Sequence, residues 1–337
     1  MSTPSDTATV APDGAPAPDS PAGPRGAESA KVRPGDRVFW GLSAGSGLVV
    51  LILMASIAFF LIYRAIDALS ANQANFLTYE AWQPDAEVPM FGIAALAFHT
   101  LVTAIIAMIV AVPIAVSIAL FITFYAPRKL ATGLAYVIDI LAAVPSIVYG
   151  LWGVFFLAPH MTGLTLWLDK WFGWTYILSY QPDNMPNNRS DFTAGIVLAI
   201  MILPIVAALS REVFQQVPRT NIEAAYALGA TRWEMVKMAV LPFGRPGIVS
   251  ASILGLGRAL GETMAVAYIL SAVYEINWRI TESGGITFAS NIALKYGEAG
   301  GVGMGALIAS GMVLFLITLI VNSIAQAILR RGMVKDR

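Results

Sequence analysis

The chain has 337 residues, 57% of them hydrophobic and only 12% charged, about half the charged share of a typical soluble domain. With a mean hydropathy of +0.69, it has too little charged surface for a water-soluble globule and reads as an all-α integral membrane protein. Formal net charge is zero, so charge gives no reason to expect nucleic acid as a partner, and the absence of cysteine excludes disulfides, thiolate nucleophiles and cysteine-based zinc sites.

Residues 1–34 form a class of their own. The first thirty hold six prolines and seven alanines without an apolar block. Such a stretch cannot bury enough surface to order itself and is expected to be a disordered cytoplasmic tail. A cleaved signal peptide would need a basic start followed by a short apolar core. Here the first basic residue is Arg25 and the apolar run begins only at Val38, so no cleavage is expected.

Residues 35–337 are expected to form a transmembrane domain. A spanning helix needs about 20 predominantly apolar residues, and six candidates follow in order. The first, 38–63, is uncharged. The second lies within 92–125 and contains Pro113. The third runs over about 133–157, with Asp139, Pro145, Gly150 and Gly153 inside it. The fourth, 192–210, contains Pro204. The fifth covers about 248–273 and the sixth about 302–329. The internal prolines imply kinks whose backbone groups are satisfied by neighbours.

Lys and Arg set the orientation. One side collects Arg25, Lys31, Arg33, Arg37, Arg128, Lys129, Arg211, Arg219, Arg232, Lys237, Arg245, Arg330, Arg331, Lys335 and Arg337. The other holds only Arg64, Lys170, Arg189, Arg279 and Lys295. The bias places both termini in the cytoplasm. The aromatic stretch TLWLDKWFGWTY at 165–176 then faces outward and suits a helix lying at the outer interface.

The longest inward loop, PRTNIEAAYALGATRWEMVKMAVLPFGRPG at 218–247, carries two capping-box patterns, Thr220 with Glu223 and Thr231 with Glu234. Gly229 between them suits the left-handed residue that ends a helix. The pattern predicts helix, sharp turn, helix, and a stop around Pro242 and Pro246. Ala224, Ala225 and Ala227 make the first helix thin enough to enter a groove on a partner, although a solvated hairpin joining two spans has the same local pattern. Glu223-Ala224-Ala225, Gly229 and Leu241-Pro242 resemble the EAA…G…LP loop by which ATP-binding cassette (ABC) importer permeases dock onto their ATPase. Ala239 stands where an isoleucine is usual in that family. None of the six lysines is followed by Ser or Thr, so no Walker A motif is present. The chain is expected to be a transport subunit rather than an enzyme, with no cofactor of its own and ATP bound by a partner subunit.

The fifth candidate contains GLGRALGETMAV, with Arg258 and Glu262 inside an apolar run. On a helix of 3.6 residues per turn these two lie on one face, about 40° apart. Ala251, Gly255, Gly261 and Ala265 lie on or beside that face, and Leu254 interrupts it at one edge. Three readings follow. The pair satisfies itself and ties helices together, although Arg before Glu is the less favourable order and burial costs several kcal/mol per ion. Gly257 and Gly261 form GxxxG and permit close helix packing, which explains the glycines but not the charges. Or the site handles substrate, since intramembrane ionisable residues face cavities and arginine presents a permanent fork of donors to an oxyanion.

GRALGETMA resembles the permeases of the phosphate-specific transport (Pst) system. FYAPRKL at 124–130 and DILAAVPSIVYGLWG at 139–153 are similar to the PstC-type subunit in particular, and the resemblance covers about 35–335. It implies a type I ABC importer permease fold in a bacterial plasma membrane, with phosphate as cargo and Arg258 and Glu262 on the translocation path. Glu262 would either hold Arg258 or accept the proton of hydrogen phosphate. The implied partners are a PstA-like second permease, two copies of a PstB-like ATPase and an extracytoplasmic PstS-like phosphate-binding protein. A permease for sulfate or molybdate is the alternative within this class, and a self-contained channel or ion-driven carrier the alternative outside it. Elsewhere, Asp139 reads as an interfacial carboxylate, His99 as a structural or pH-sensitive group, and Ser146 and Tyr149 as hydroxyls near the Pro145 kink.

Overall fold

The computed structural model describes residues 34–181 and 188–335, with side chains up to residue 327; the expected tail before Pro34 lies outside the described residues. Among the described residues six helices are long and apolar enough to cross a membrane. The chain divides into two compact units, 1–57 and 58–337. The first contains the beginning of α1 (Pro34–Ala71), whose side chains from Val38 to Ile57 are exposed around the whole circumference. A helix apolar on every side belongs in a membrane.

In the second unit a short loop follows α1 and folds on itself. Strands β1 (Trp82–Gln83) and β2 (Met90–Phe91) pair antiparallel, Trp82 opposite Phe91. The Asn72 side chain accepts from the Phe91 N–H (3.1 Å) and donates to its carbonyl (2.8 Å). Trp82, Phe91, Ile93, Leu96, Ile286 and Phe288 form one buried cluster here. Full burial of each such side chain contributes roughly 1.5–3 kcal/mol.

Helix α2 (Ala94–Leu120) runs into a π-helical turn at Phe121–Tyr125 and packs along α6 (Asp191–Gln215). The reason is an alanine stripe: Ala104, Ala107 and Ala111 are buried against Ala194, Val197, Leu198 and Met201. Small residues let spanning helices approach closely. Gly195 is the tightest point, where a Cβ would lie 2.6 Å from the Ile106 side chain. Pro113 and Pro204 stay inside their helices.

Pro145 does not. Helix α3 (Arg128–Ala143) ends before Val144 and Pro145, both extended, and α4 (Ser146–Trp152) starts afresh. The residue before a proline is pushed out of the helical region. The expected third span over 133–157 is therefore corrected. The continuous spanning segment is Ser146–Thr175, formed by α4, a π turn at Gly153–Leu157, α5 (Ala158–Phe172) and a final 3₁₀ turn. The aromatic stretch at 165–176 is the end of this segment rather than a separate helix, and Trp167, Trp171 and Trp174 are exposed on it.

Helix α7 (Arg219–Ala227) and α8 (Arg232–Met235) make the expected hairpin. A π turn at Val236–Val240 then leads into α9 (Leu241–Leu260), so that Arg232–Leu260 is one 29-residue rod. The expected stop at Pro242 and Pro246 is absent. Pro242 sits in the first turn of α9, directly after the π turn, where a missing N–H costs least. The rod ends at Gly261, and the fifth span is corrected from 248–273 to 232–260. Beyond the break lie α10 (Met264–Ile269), α11 (Phe288–Lys295) and the last span, α12 (Gly301–Lys335). Asp85 fastens the start of α12, accepting from Gly300 N–H at 2.9 Å and Gly303 N–H at 2.8 Å.

Candidate substrate path and coupling hairpin

Arg258 lies in the last turn of α9 and is exposed. It lines a cavity of about 690 Å³ between α6, α9 and α12, with Ile205, Leu254, Gly257, Asn322 and Gln326. Gly257 meets no other atom within 4 Å of a built Cβ, and Gly261 approaches only backbone of its own helix end. Among the described residues the GxxxG pair thus makes no close helix contact; its glycines leave space beside the guanidinium.

Glu262 is not on the Arg258 face, because the helix has ended. Gly261 is the C-cap of α9, and the chain turns through 261–263 before α10. The expected common helical face is corrected accordingly. A glycine at the helix end removes the Cβ cost of leaving helical geometry. Among the described residues no ion pair joins Arg258 to Glu262. The Glu262 carboxylate points instead at the beginning of α10, 3.5 Å from the Ala265 N–H. That is the favourable end of a helix for a negative charge.

The other end of α10 is held by a residue that the sequence reading had only counted as a charge. Arg189 donates to the Tyr268, Ile269 and Leu270 carbonyls at 2.7, 3.0 and 2.9 Å. Its signal was a basic residue directly before the Ser190 cap of α6, but nothing in the sequence pairs it with carbonyls about 80 residues away. Laterally, α10 rests on α4: a Cβ on Gly150 would stand 2.7 Å from the Ala265 Cα. Gly150→Val is expected to push α10 out of place and reduce uptake at least about tenfold, because the clash is with backbone that cannot rotate away. Transport assays at matched membrane levels check this.

Tyr149, in α4, donates to the Leu141 carbonyl at 2.9 Å and so satisfies a backbone group freed by the Pro145 break. Ser146 begins α4 and is half-buried. Asp139 pairs with Arg211 at 3.5 Å, with the carboxylate about half exposed, in keeping with an interfacial position.

His99 is buried. Its Nδ1 lies 2.6 Å from Asp191 Oδ2 and its Nε2 donates toward the Glu275 carbonyl at 3.0 Å. Gly285, with φ +97°, allows the loop to pass, since a Cβ there would lie 2.8 Å from His99 Nδ1. The pair joins α2, the start of α6 and the loop before α11. Asp191→Ala is expected to cost about 2 kcal/mol, as loss of a buried partner to a polar group does, seen as a lower unfolding temperature in detergent. In the same region the Tyr274 hydroxyl donates to Asn291 Oδ1 at 2.7 Å. Burial, then the nearby Glu298 charge, pushes its pKa to about 12, so it remains a donor at every working pH. His160 bonds only the Phe156 carbonyl of its own helix.

The hairpin is built as two faces. Ala225, Met235, Val236 and Val240 are buried against Phe214, Val217, Ala119 and Leu120. Glu223, Ala224, Leu228, Trp233 and Pro242 are exposed, and Leu241 is half-buried. Of the EAA residues, then, Ala225 anchors the hairpin and Glu223 and Ala224 face outward. Gly229 has φ +79° and closes the turn. The second capping box is present: the Thr231 hydroxyl accepts from Glu234 N–H (3.3 Å) and Glu234 accepts from Thr231 N–H (2.8 Å). The first is not. Helix α7 starts after Pro218, so Thr220 lies inside it and caps nothing.

Residues 111–333 match the family described as binding-protein-dependent transport system inner membrane component. The PstC 2 phosphate transport permease of Mycobacterium tuberculosis is 47% identical over 299 residues, covering 88% of this chain and 92% of that one. The PstC permease of Pasteurella multocida is 39% identical over 285 residues, covering 84% and 88%. The chain belongs to the PstC family of phosphate transport permeases. A subunit of the MetNI methionine ABC transporter aligns with a TM-score of 0.48 at 19% identity, over 72% of this chain and 94% of that one. As a PstC-family permease the chain is a membrane-embedded transport subunit of an ABC importer and not an enzyme. It works with other components of such a system, the ATPase being a separate chain. Asn322 and Gln326 are the residues of this permease that sequence reading left unmarked. The signal was present, two amides four apart in an apolar helix, but only the fold sets them beside Arg258.

Proposed function

We propose that this permease carries phosphate across a bacterial plasma membrane through a path that includes the Arg258 cavity, with both termini in the cytoplasm. The observation that carries the reading is the continuous rod from Arg232 to Leu260, which joins the hairpin at one end to Arg258 at the other. At 1.5 Å per residue it is about 43 Å long, so a push on the hairpin reaches Arg258 without crossing a flexible joint. Arg258 attracts the anion into an apolar passage. Glu262 acts by position, holding the start of α10 beside the break at Gly261, rather than as a counter-ion to Arg258. Glu223, Ala224, Gly229, Leu241 and Pro242 present the surface for the ATPase, with Ala225 fixing it from behind.

In this reading the chain supplies half of the path and binds no cofactor. A PstA-like permease supplies the other half, two PstB-like ATPases bind ATP, and a PstS-like protein delivers phosphate from outside. Purification through a tag on this chain should recover those partners, and proteoliposomes holding the complex should accumulate phosphate only with ATP inside the ATPase compartment. Accumulation of sulfate or molybdate in place of phosphate would replace the cargo. Transport by this chain alone, without an ATPase, would establish a channel or carrier instead.

A further inference from the structure

We propose that Asn322 is a substrate-binding residue that accepts the P–O–H proton of monohydrogen phosphate beside Arg258, with Gln326 as a second amide one turn further along the path. The inference rests on the reading of Arg258 as a path residue and adds the recognition of one oxyanion over another.

Asn322 and Gln326 lie four apart on α12 and line the cavity that Arg258 enters. The side-chain oxygen of Asn322 is buried and has no hydrogen-bond partner. A polar group left unpaired in a spanning segment is costly, since the hydrocarbon offers nothing to bond. A turn of the carboxamide about its soft terminal torsion brings that oxygen to the cavity surface, where a passing ligand completes the bond.

The chemistry of the cavity specifies that ligand. Arg258 supplies donors only, which suit the unprotonated oxygens of any oxyanion. Monohydrogen phosphate also carries one hydroxyl, a donor that needs an acceptor. A carboxylate would accept it but repel the dianion; an amide oxygen accepts it without a charge. Glu262 lies beyond the helix break and does not line the cavity. Ser250 does line it, but its hydroxyl is engaged with the Pro246 carbonyl at 2.9 Å, whereas the Asn322 oxygen is an acceptor without a partner. Sulfate has no proton at neutral pH. It would set an oxygen lone pair against the amide oxygen and leave both unpaired, the arrangement by which hydrogen-bonding sites reject close analogues.

The test uses the complete transporter in cells, with Asn322→Leu, Asn322→Thr and Arg258→Gln side by side. Leucine keeps the volume and removes the acceptor; phosphate uptake is expected to fall about tenfold, within the range for one hydrogen bond to a charged ligand. Threonine retains an acceptor and is expected to keep most of the uptake. Co-purification of the second permease is expected to be unchanged in both. Wild-type uptake in Asn322→Leu, with Arg258→Gln inactive, overturns the role of Asn322 and leaves the path intact. Normal uptake in Arg258→Gln as well overturns the path itself. Loss of the second permease from Asn322→Leu identifies a helix contact and overturns the proposal. If leucine lowers the membrane level of the chain, Asn322→Thr decides, and its inactivity at a normal level overturns the proposal.

Discussion

Replacing Arg258 by glutamine is expected to lower phosphate uptake by about 10- to 100-fold at an unchanged membrane level of the chain. A charge-assisted hydrogen bond is worth about 1.5–3 kcal/mol, and each 1.4 kcal/mol is a factor of ten. Glutamine keeps donors and loses the charge, so the residual transport measures the charge itself. Arg258 has no ion-pair partner among the described residues and ends its helix at an exposed position, so its loss leaves no orphaned buried charge and little damage to stability. Radiolabelled phosphate uptake read beside an immunoblot separates the two. Uptake equal to wild type would remove Arg258 from the path.

The second large effect is expected at Gly229. At φ +79° an L side chain is strained, and a β-branched one most of all. Gly229→Val is expected to open the turn between α7 and α8 and to abolish coupling. The ATPase should fail to co-purify, or its hydrolysis should no longer respond to the phosphate-loaded binding protein. Nothing lies within 4 Å of a Cβ built at this position, so the damage is confined to backbone geometry. Gly229→Asn, which tolerates the left-handed region, is expected to restore much of the coupling. Equal loss in both variants would point to contact with the partner rather than to the turn.

Span count and coupling hairpin were legible because their signals are local. Apolar length alone located four of the six spans, while the third and fifth were displaced by more than ten residues at each end; Thr231, Glu234 and Gly229 marked their own turn. Helix ends inside the membrane were not. Pro113, Pro145, Pro204 and Pro242 look alike as letters, yet only Pro145 breaks its helix. The preceding residue does not tell them apart, since Val112 and Val144 stand before Pro113 and Pro145 alike; a π turn receives Pro242. The Arg258–Glu262 face failed for the same reason: periodicity assumes that the helix continues, and Gly261 ends it. Arg189 on the α10 carbonyls, Asp191 on His99, and Asn322 beside Arg258 are contacts across long sequence separations, which one sequence does not encode visibly.

The clasp of Asp85 on Gly300 and Gly303 gives the molecule a second handle. Consecutive spans cross in opposite directions, so α9 and α12, two of the three walls of the Arg258 cavity, begin on opposite faces of the membrane. One wall is gripped through the hairpin, the other through Asp85 and the small strand pair next to it. A load on the loop carrying Asp85 therefore bears on the helix with Asn322, while a load on the hairpin bears on the helix with Arg258. Forces applied at opposite faces of the membrane would thus meet at a single chamber.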